Sequence, residues 1–255
     1  MADKLSMALP EILYEDKDVF VFNKPKGLLV HADGRTTDMT LSDILMENYP
    51  WMKNIGEPMR THGKDGEETI IYRPGIVHRL DKDTTGVLVV AKNQESFEFL
   101  KKQFQGRSIK KRYIAIVFGK VKDDRGTIDR PIGRSKSDFR KWSATRGARG
   151  ELREAVTEYK VIKRFSDKKG EQFTFLELYP KTGRTHQIRV HLKAINHPVL
   201  GDNLYAGLRG TALGFDRIAL HAAEISFENT AGKIISAEAP MPKDFEKALA
   251  GGHSV

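Results

Sequence analysis

Five ionisable side chains crowd the short stretch between positions 78 and 83: His78, Arg79, Asp81, Lys82 and Asp83. A carboxylate that is ionised and held still is a nucleophile, and Asp81 stands among cations on both sides. The residues by themselves leave two readings open. One is a rigid loop that carries a reactive group. The other is a solvated hairpin in which Asp and Thr merely form the turn. Calcium binding fails as a third: Asp81, Asp83 and Thr85-Gly86 begin like an EF-hand loop, but its twelfth position must supply a bidentate Glu and here holds Lys92.

The elements around this loop explain how it is held. Pro74-Gly75 signals a turn, Ile76, Val77 and Leu80 are apolar, and Val87–Ala91 is a β-branched run that reads as a buried strand. The polar segment is therefore mounted on a sheet, a rigid place for a reactive group. Upstream, Val19–Phe22 reads as a strand that runs into Asn23-Lys24-Pro25-Lys26-Gly27, a turn with Pro and Gly at the positions a type I turn favours. Thr40 is placed to cap a short helix with Leu41, Ile44 and Leu45 inward and Pro50 as its stop. Residues 52–73 are polar and carry both charge signs, and they read as an insertion loop. Glu95–Gln105 has Phe97, Leu100 and Phe104 at helical spacing with Gly106 as terminator.

Further strands are expected at Lys110–Phe118, led by a basic run and Tyr113, at Glu154–Phe165, at Phe173–Tyr179 and around Ile218–Phe227. Between Tyr179 and Pro198, Thr185 is placed to cap a helix whose inner face is Ile188, Leu192 and Ile195, ended by Asn196 and Pro198. His186, Arg189 and Lys193 then form a polar stripe off that face. His186 and His191 lie five apart, which does not match His-Glu-x-x-His, so no metal is expected there. A short helix is expected near Phe245, followed by a loose tail over 251–255.

The chain has 255 residues with 39% hydrophobic and 30% charged content, which suits a soluble globular protein with ample core. No apolar run reaches the length of a membrane span, the first residues lack a signal peptide's hydrophobic segment, and there are no cysteines. These point to the cytoplasm. The net charge of +9 is concentrated: residues 101–153 carry 17 Lys or Arg against 5 Asp or Glu. A clustered basic stretch suits a polyanion. Phe139, Trp142 and several glycines interleave with Arg134, Lys136, Arg140, Lys141, Arg146 and Arg149, a mixture that suits RNA with its unstacked bases.

Gly75–Gly86, written GIVHRLDKDTTG, closely resembles the signature of pseudouridine synthases of the RluA family, in which the Asp after His-Arg-Leu is the nucleophile. Three other stretches resemble the same family in order: Asn23-Lys24-Pro25-Lys26-Gly27, the Lys-Arg-Tyr-x-Ala segment at Lys111–Ala115, and Gly183-Arg184-Thr185-His186-Gln187-Ile188-Arg189. The resemblance covers most of residues 11–245. It implies an α+β fold, a mixed and mainly antiparallel sheet with flanking helices and a central active-site cleft. It implies one catalytic domain over 11–250 behind a flexible tail, 1–10, and a reaction that isomerises uridine in RNA to pseudouridine.

By the same resemblance Asp81 is the nucleophile, Tyr113 contacts the target uracil and Arg189 pairs with Asp81. Arg79 is placed to fill the gap left by a flipped base, and His78, Arg184 and His186 are expected to contact RNA or the base. No redox change or phosphoryl transfer occurs, so no cofactor and no metal are expected. The expected partner is ribosomal or transfer RNA, with no membrane, and the expected state is a monomer. Many family members carry a small RNA-binding domain ahead of the catalytic one. Only ten residues precede Glu11 here, so target choice is expected to rest on the catalytic domain and its basic 119–154 connection. Two rivals remain: a non-catalytic RNA-binding or RNA-folding protein on the same scaffold, and a glycosidic hydrolase. The second wants two acidic groups framing the bond, and the resemblance supplies only Asp81.

Overall fold

The computed structural model describes residues 8–32, 38–62, 68–145, 148–207, 209 and 211–254. The chain divides into two compact units, one reaching to Ile109 and including Glu224–Ala239, the other formed by Lys110–Ala223 with Pro240 onward. The expected single domain, 11–250, spans both. Among the described residues no helix is long and apolar enough to cross a membrane.

The first unit is built on three antiparallel strands, β1 (Glu11–Glu15), β2 (Val19–Lys24) and, in the order β1-β2-β5, β5 (Thr85–Ala91). All seven residues of β5 are buried. A strand covered on both faces reads as a continuous apolar run without alternation, which is why Val87–Ala91 is recognisable in the sequence. The N-terminal helix α1 (Leu41–Asn48) has the expected cap, a reciprocal box in which Thr40 Oγ1 accepts from Asp43 N and Asp43 Oδ2 accepts from Thr40 N. Residues 52–73 do not form the plain insertion loop expected. A 3-10 turn over Pro50–Asn54 buries Met52 fully, and β3 (Met59–His62) pairs with β4 (Glu68–Ile71) in a two-stranded ribbon. Helix α2 (Gln94–Gly106) buries Phe97 and Leu100; its terminator is Arg107 in a left-handed conformation, with Gly106 still helical.

The second unit carries β6 (Lys110–Phe118), β7 (Arg125–Asp129), β8 (Ile132–Ser135), β9 (Trp142–Ser143), β10 (Ala148–Arg153), β11 (Val156–Ser166) and β12 (Gln172–Pro180). Strand β12 lies between β6 and β11, and β7 pairs with Val156–Lys160 of β11. The basic connection is not a loop. Much of it folds into a separate small sheet of order β10-β8-β9. Helix α3 (Gln187–Ala194) and helix α4 (Lys243–Gly251) close the unit's core, where Ile188, Leu192, Phe245 and Ala248 meet Ile114, Ile116, Phe173 and Leu176. Strand β13 (Leu220–Glu228) runs from this unit into the first, where Glu224–Glu228 pairs with β14 (Ile234–Glu238). The tail expected to be loose forms β15 (His253–Ser254), paired with Phe165 and Ser166 of β11. All these pairings are antiparallel, and with the helices they make an α+β protein, as expected. Of the expected flexible tail, residues 1–7 lie outside the described residues.

Candidate active site

Asp81 begins a tight turn, closed by the Thr84 amide donating to the Asp81 carbonyl at 3.1 Å, with Lys82 and Asp83 exposed at its tip. The approach to the turn is fastened to β5. Gly75 takes φ 65°, a Cβ there would collide with the Ala91 carbonyl, and the Ala91 amide donates to Gly75 O at 2.9 Å. Only glycine fits such a close backbone contact at positive φ. Further along, His78 Nε2 accepts from the Val89 amide at 2.9 Å, and its ring stacks on Phe104 at 4.7 Å between centroids. His78, expected to contact RNA, is thus tied into the fold beside the reactive stretch, because a neutral imidazole there satisfies a strand amide. Arg79 is exposed and Leu80 is buried beneath it. The Arg79 guanidinium approaches His31 Nε2 at 3.4 Å.

The floor of the turn is a lysine. Lys24 is fully buried, and its ammonium donates to the carbonyls of Pro25, Leu28 and Lys82, each at 2.8 Å. An ammonium out of water needs such a set of acceptors. The residue lies at the end of β2 opposite Gly86, so it reaches forward under the turn that bears Asp81. Above, Lys82 pairs with Asp38 at 2.7 Å in the open.

In the second unit Tyr113 stands on β6 opposite Leu178 of β12 and packs partly buried against the core. The segment Thr182–Gln187 is shaped by one amide. Gln187 Oε1 accepts from Thr182 Oγ1 at 2.7 Å and from Arg184 N at 3.0 Å, while Nε2 donates to Val156 O and Thr157 Oγ1, both at 3.0 Å. All four of its bonding positions are used. The chain then enters α3 through His186 at φ 55°, with no side-chain cap, and Thr185 is exposed. The expected Thr185 cap is therefore replaced: Gln187 gathers the Arg184 amide, and a left-handed His makes the entry. His186 Nδ1 lies 2.9 Å from Tyr205 Oη. Arg184 donates from Nε to Glu154 O at 3.0 Å.

Arg189 corrects the expected polar stripe, of which only Lys193 is exposed. It is 8% exposed and grips Asp202, itself 2% exposed, through Nε to Oδ2 at 2.8 Å and Nη2 to Oδ1 at 2.9 Å. This two-pronged fit locks the plane of the guanidinium. Tyr205 lies against its face, 5.0 Å from ring centroid to Cζ. The loop that bears Asp202 turns at Gly201, φ 72°, where a Cβ would strike the Arg217 carbonyl. On the helix's other side His191 is buried, and its Nε2 and Nδ1 meet Arg130 O and Thr157 Oγ1 at 3.0 and 2.9 Å. The carbonyl requires Nε2–H, which in the neutral ring leaves Nδ1 to accept from the Thr157 hydroxyl, and burial disfavours the charged form, lowering its pKa below the usual value. Among the described residues no group of three or more His, Asp or Glu is arranged to hold a metal.

These motifs, in this order and on these elements, match a family model described as RNA pseudouridylate synthase over residues 18–194. The chain belongs to the RNA pseudouridylate synthase family. The synthase is 42% identical over 241 residues to YlyB of Bacillus subtilis, named as an uncharacterized RNA pseudouridine synthase, covering 94% of this chain and 71% of that one. It is 39% identical over 238 residues to the ribosomal large subunit pseudouridine synthase D of Borreliella burgdorferi, covering 92% and 66%. The solved structure of human RNA pseudouridylate synthase domain containing 1 superposes with a TM-score of 0.74 at 25% identity, covering 100% of this chain and 93% of that one. The enzyme is an RNA pseudouridine synthase, an isomerase that acts on RNA.

The small basic sheet supplies the synthase's most exposed aromatic side chain among the described residues, Phe139 at 67%. Arg134 stacks on Trp142 at 4.3 Å and donates to Phe139 O at 3.2 Å. Its charge is partly offset locally. Asp138 receives the Arg140 guanidinium at 2.9 and 3.1 Å, which holds its carboxyl down to about 2. Arg146, counted in the basic cluster, lies outside the described residues. Sequence reasoning passed over Asp202 and Tyr205 as site residues. Their only local signal is a turn after Pro198, whereas their partners sit on α3 and β9.

Proposed function

We propose that the synthase isomerises particular uridines in ribosomal or transfer RNA, with Asp81 as nucleophile. The names of the relatives from Borreliella burgdorferi and Vibrio parahaemolyticus, both ribosomal large subunit pseudouridine synthase D, favour ribosomal RNA as the substrate class. The observation that carries the reading is the mounting of Asp81: its turn is clamped from below by Lys24 and from the side by Gly75 and His78. In the reaction the bond from ribose C1′ to N1 of uracil breaks and a bond from C1′ to C5 forms. The C5 proton departs and N1 gains one, so the step balances with no oxidant, phosphoryl donor or cofactor.

A carboxylate nucleophile must be ionised and still, and we assign Arg189 to orient Asp81 through a charge-assisted bond. Nε and Nη2 of Arg189 serve Asp202, and the assignment to Asp81 rests on the resemblance of the Gly183–Arg189 motif to the family's. Tyr113 offers an aromatic face to the extruded uracil, and exposed Arg79 occupies its place in the stack. Arg184 and His186 border the same segment and are assigned to RNA contact, whereas His78 positions the reactive stretch from within. The reading places the enzyme in the cytoplasm, as a monomer.

Asp81→Asn tests this directly, because the amide is nearly isosteric and not nucleophilic. The variant is expected to bind RNA and melt as the wild type does, with no pseudouridine formed in single-turnover assays. Turnover by Asp81→Asn would overturn the assignment. Mapping pseudouridines in cellular RNA with and without the protein identifies the target class.

A further inference from the structure

We infer that Tyr205 is a positioning residue that ties the small basic sheet to Arg189, so that RNA held by the sheet and the orientation of Arg189 depend on one phenol. The inference rests on the reading above that Arg189 serves the reaction. Tyr205 is 6% exposed and uses every part of itself. Its ring covers one face of the Arg189 guanidinium. Its backbone amide donates to Asp202 Oδ1 at 3.1 Å, the same oxygen that receives Arg189 Nη2. Its hydroxyl accepts from the Trp142 amide at 2.9 Å and lies 2.9 Å from His186 Nδ1, to which it is free to donate its own proton.

Each of these contacts has a consequence. Asp202 fixes the guanidinium plane and the Tyr205 ring fixes its height, so together they set where the Nη1 edge points. Strand β9 is only two residues long, and it is bonded to β8 on one edge. The Tyr205 hydroxyl supplies Trp142 with a bond from outside the sheet, and Trp142 in turn carries Arg134 on its ring. A small apolar cluster fills the space around this link. Ile132 of β8 and Ala144, the residue after β9, pack with Val190 of α3 and with Tyr205 itself. A displacement of β9 by bound RNA is therefore transmitted to the phenol, and from the phenol to Arg189 and His186. His186 is held at φ 55°, a costly conformation for a residue with a Cβ, and the Tyr205 hydroxyl is one of the contacts that keeps it there.

The test separates the hydroxyl from the ring. Tyr205→Phe keeps the stack on Arg189 and loses the bonds to Trp142 and His186. Tyr205→Leu keeps an apolar side chain in the cluster and loses both functions. Binding to transcribed large-subunit ribosomal RNA is measured by filter retention, and the rate by single turnover at saturating RNA. Tyr205→Phe is expected to weaken binding roughly fivefold, the worth of about one net hydrogen bond, with the greater part of its loss in affinity. Tyr205→Leu is expected to show the same loss of affinity and in addition a rate at least about tenfold lower, as a misaimed charge-assisted bond would cause. Equal effects of the two variants on affinity and rate, or wild-type behaviour of both, would overturn the inference. A drop in melting temperature with affinity and rate falling in proportion would assign Tyr205 a purely structural role and overturn it too. If the wild type forms no pseudouridine in any RNA, the functional reading fails instead, and the binding arm still decides whether the hydroxyl anchors the sheet.

Discussion

Replacing Lys24 by Met pits two opposing energies against each other and isolates a functional effect. In the wild type the buried ammonium holds the carbonyls of Pro25, Leu28 and Lys82 at 2.8 Å. Met fills nearly the same volume and donates nothing, so three part-buried hydrogen bonds to carbonyls are lost. Carbonyls tolerate under-satisfaction better than amides do, so a value near the low end, about 1 kcal/mol each, gives a loss of about 3 kcal/mol. Against this, Met removes the need to bury a charge, whose effective penalty is several kcal/mol. The two nearly cancel. The expected melting temperature is therefore within about 4 °C of wild type, taking about 2–4 °C per kcal/mol for a chain of this size. Activity has no such compensation. The bond that ties Lys24 to the Lys82 carbonyl is gone, and the residue before Lys82 is Asp81. The single-turnover rate of pseudouridine formation is expected to fall at least about tenfold, in keeping with the sensitivity of catalysis to misplacement of about 1 Å. Lys24→Ala, which also leaves a cavity, is expected to destabilise by about 2–5 kcal/mol. A Lys24→Met enzyme with wild-type rate would refute the clamp, and one that fails to fold would refute the cancellation.

Three further outcomes follow from the second unit. Asp202→Asn sets an amide donor against either Arg189 or the Leu204 and Tyr205 amides, whichever way it flips; the loss of about 3 kcal/mol for a broken buried pair lowers the melting temperature by about 6–12 °C, and a change under 2 °C would contradict it. Burial holds the Lys111 pKa down to about 8 from 10.5, so the unfolded chain binds the extra proton between those values and Lys111 adds stability as pH rises from 8 toward 10. The difference in melting temperature between wild type and Lys111→Met should narrow over that range, with the variant the more stable at pH 7; a constant difference refutes it. Changing Arg134, Arg140 and Lys141 together to Gln should flatten the slope of log affinity against log salt by about two units, at about 0.7 per contact to single-stranded RNA, and an unchanged slope would show that the small sheet faces away from RNA.

Much of the scaffold was written locally. The seven buried residues of β5, the Thr40 capping box and the Phe97–Leu100 face of α2 each arise from a window of a few residues, where hydrophobic periodicity and capping chemistry act. The reactive stretch itself was legible because its charges are packed into six consecutive positions. What holds it was not. Lys24 reads as part of a turn, and its ammonium is claimed by a carbonyl 58 residues away. His78 reads as a member of the charged loop, yet a strand amide and the Phe104 ring draw it inward.

The second unit shows the same division more sharply. Helical spacing identifies α3, but the spacing that placed Arg189 on an open stripe holds no information about Asp202, 13 residues on, whose carboxylate makes burial of the guanidinium tolerable. The Thr185 cap was the better local choice, and the tertiary bonds of Gln187 and Tyr205 displaced it in favour of a left-handed His186. The 251–255 tail has no local reason to be ordered and becomes a strand only because β11 leaves Phe165 and Ser166 an edge to pair with. Local propensity is worth tenths of a kcal/mol per residue, whereas satisfying a buried charge or amide is worth one or more. Where the two compete, long-range partners win, and they are set by the fold and not by any window of the chain.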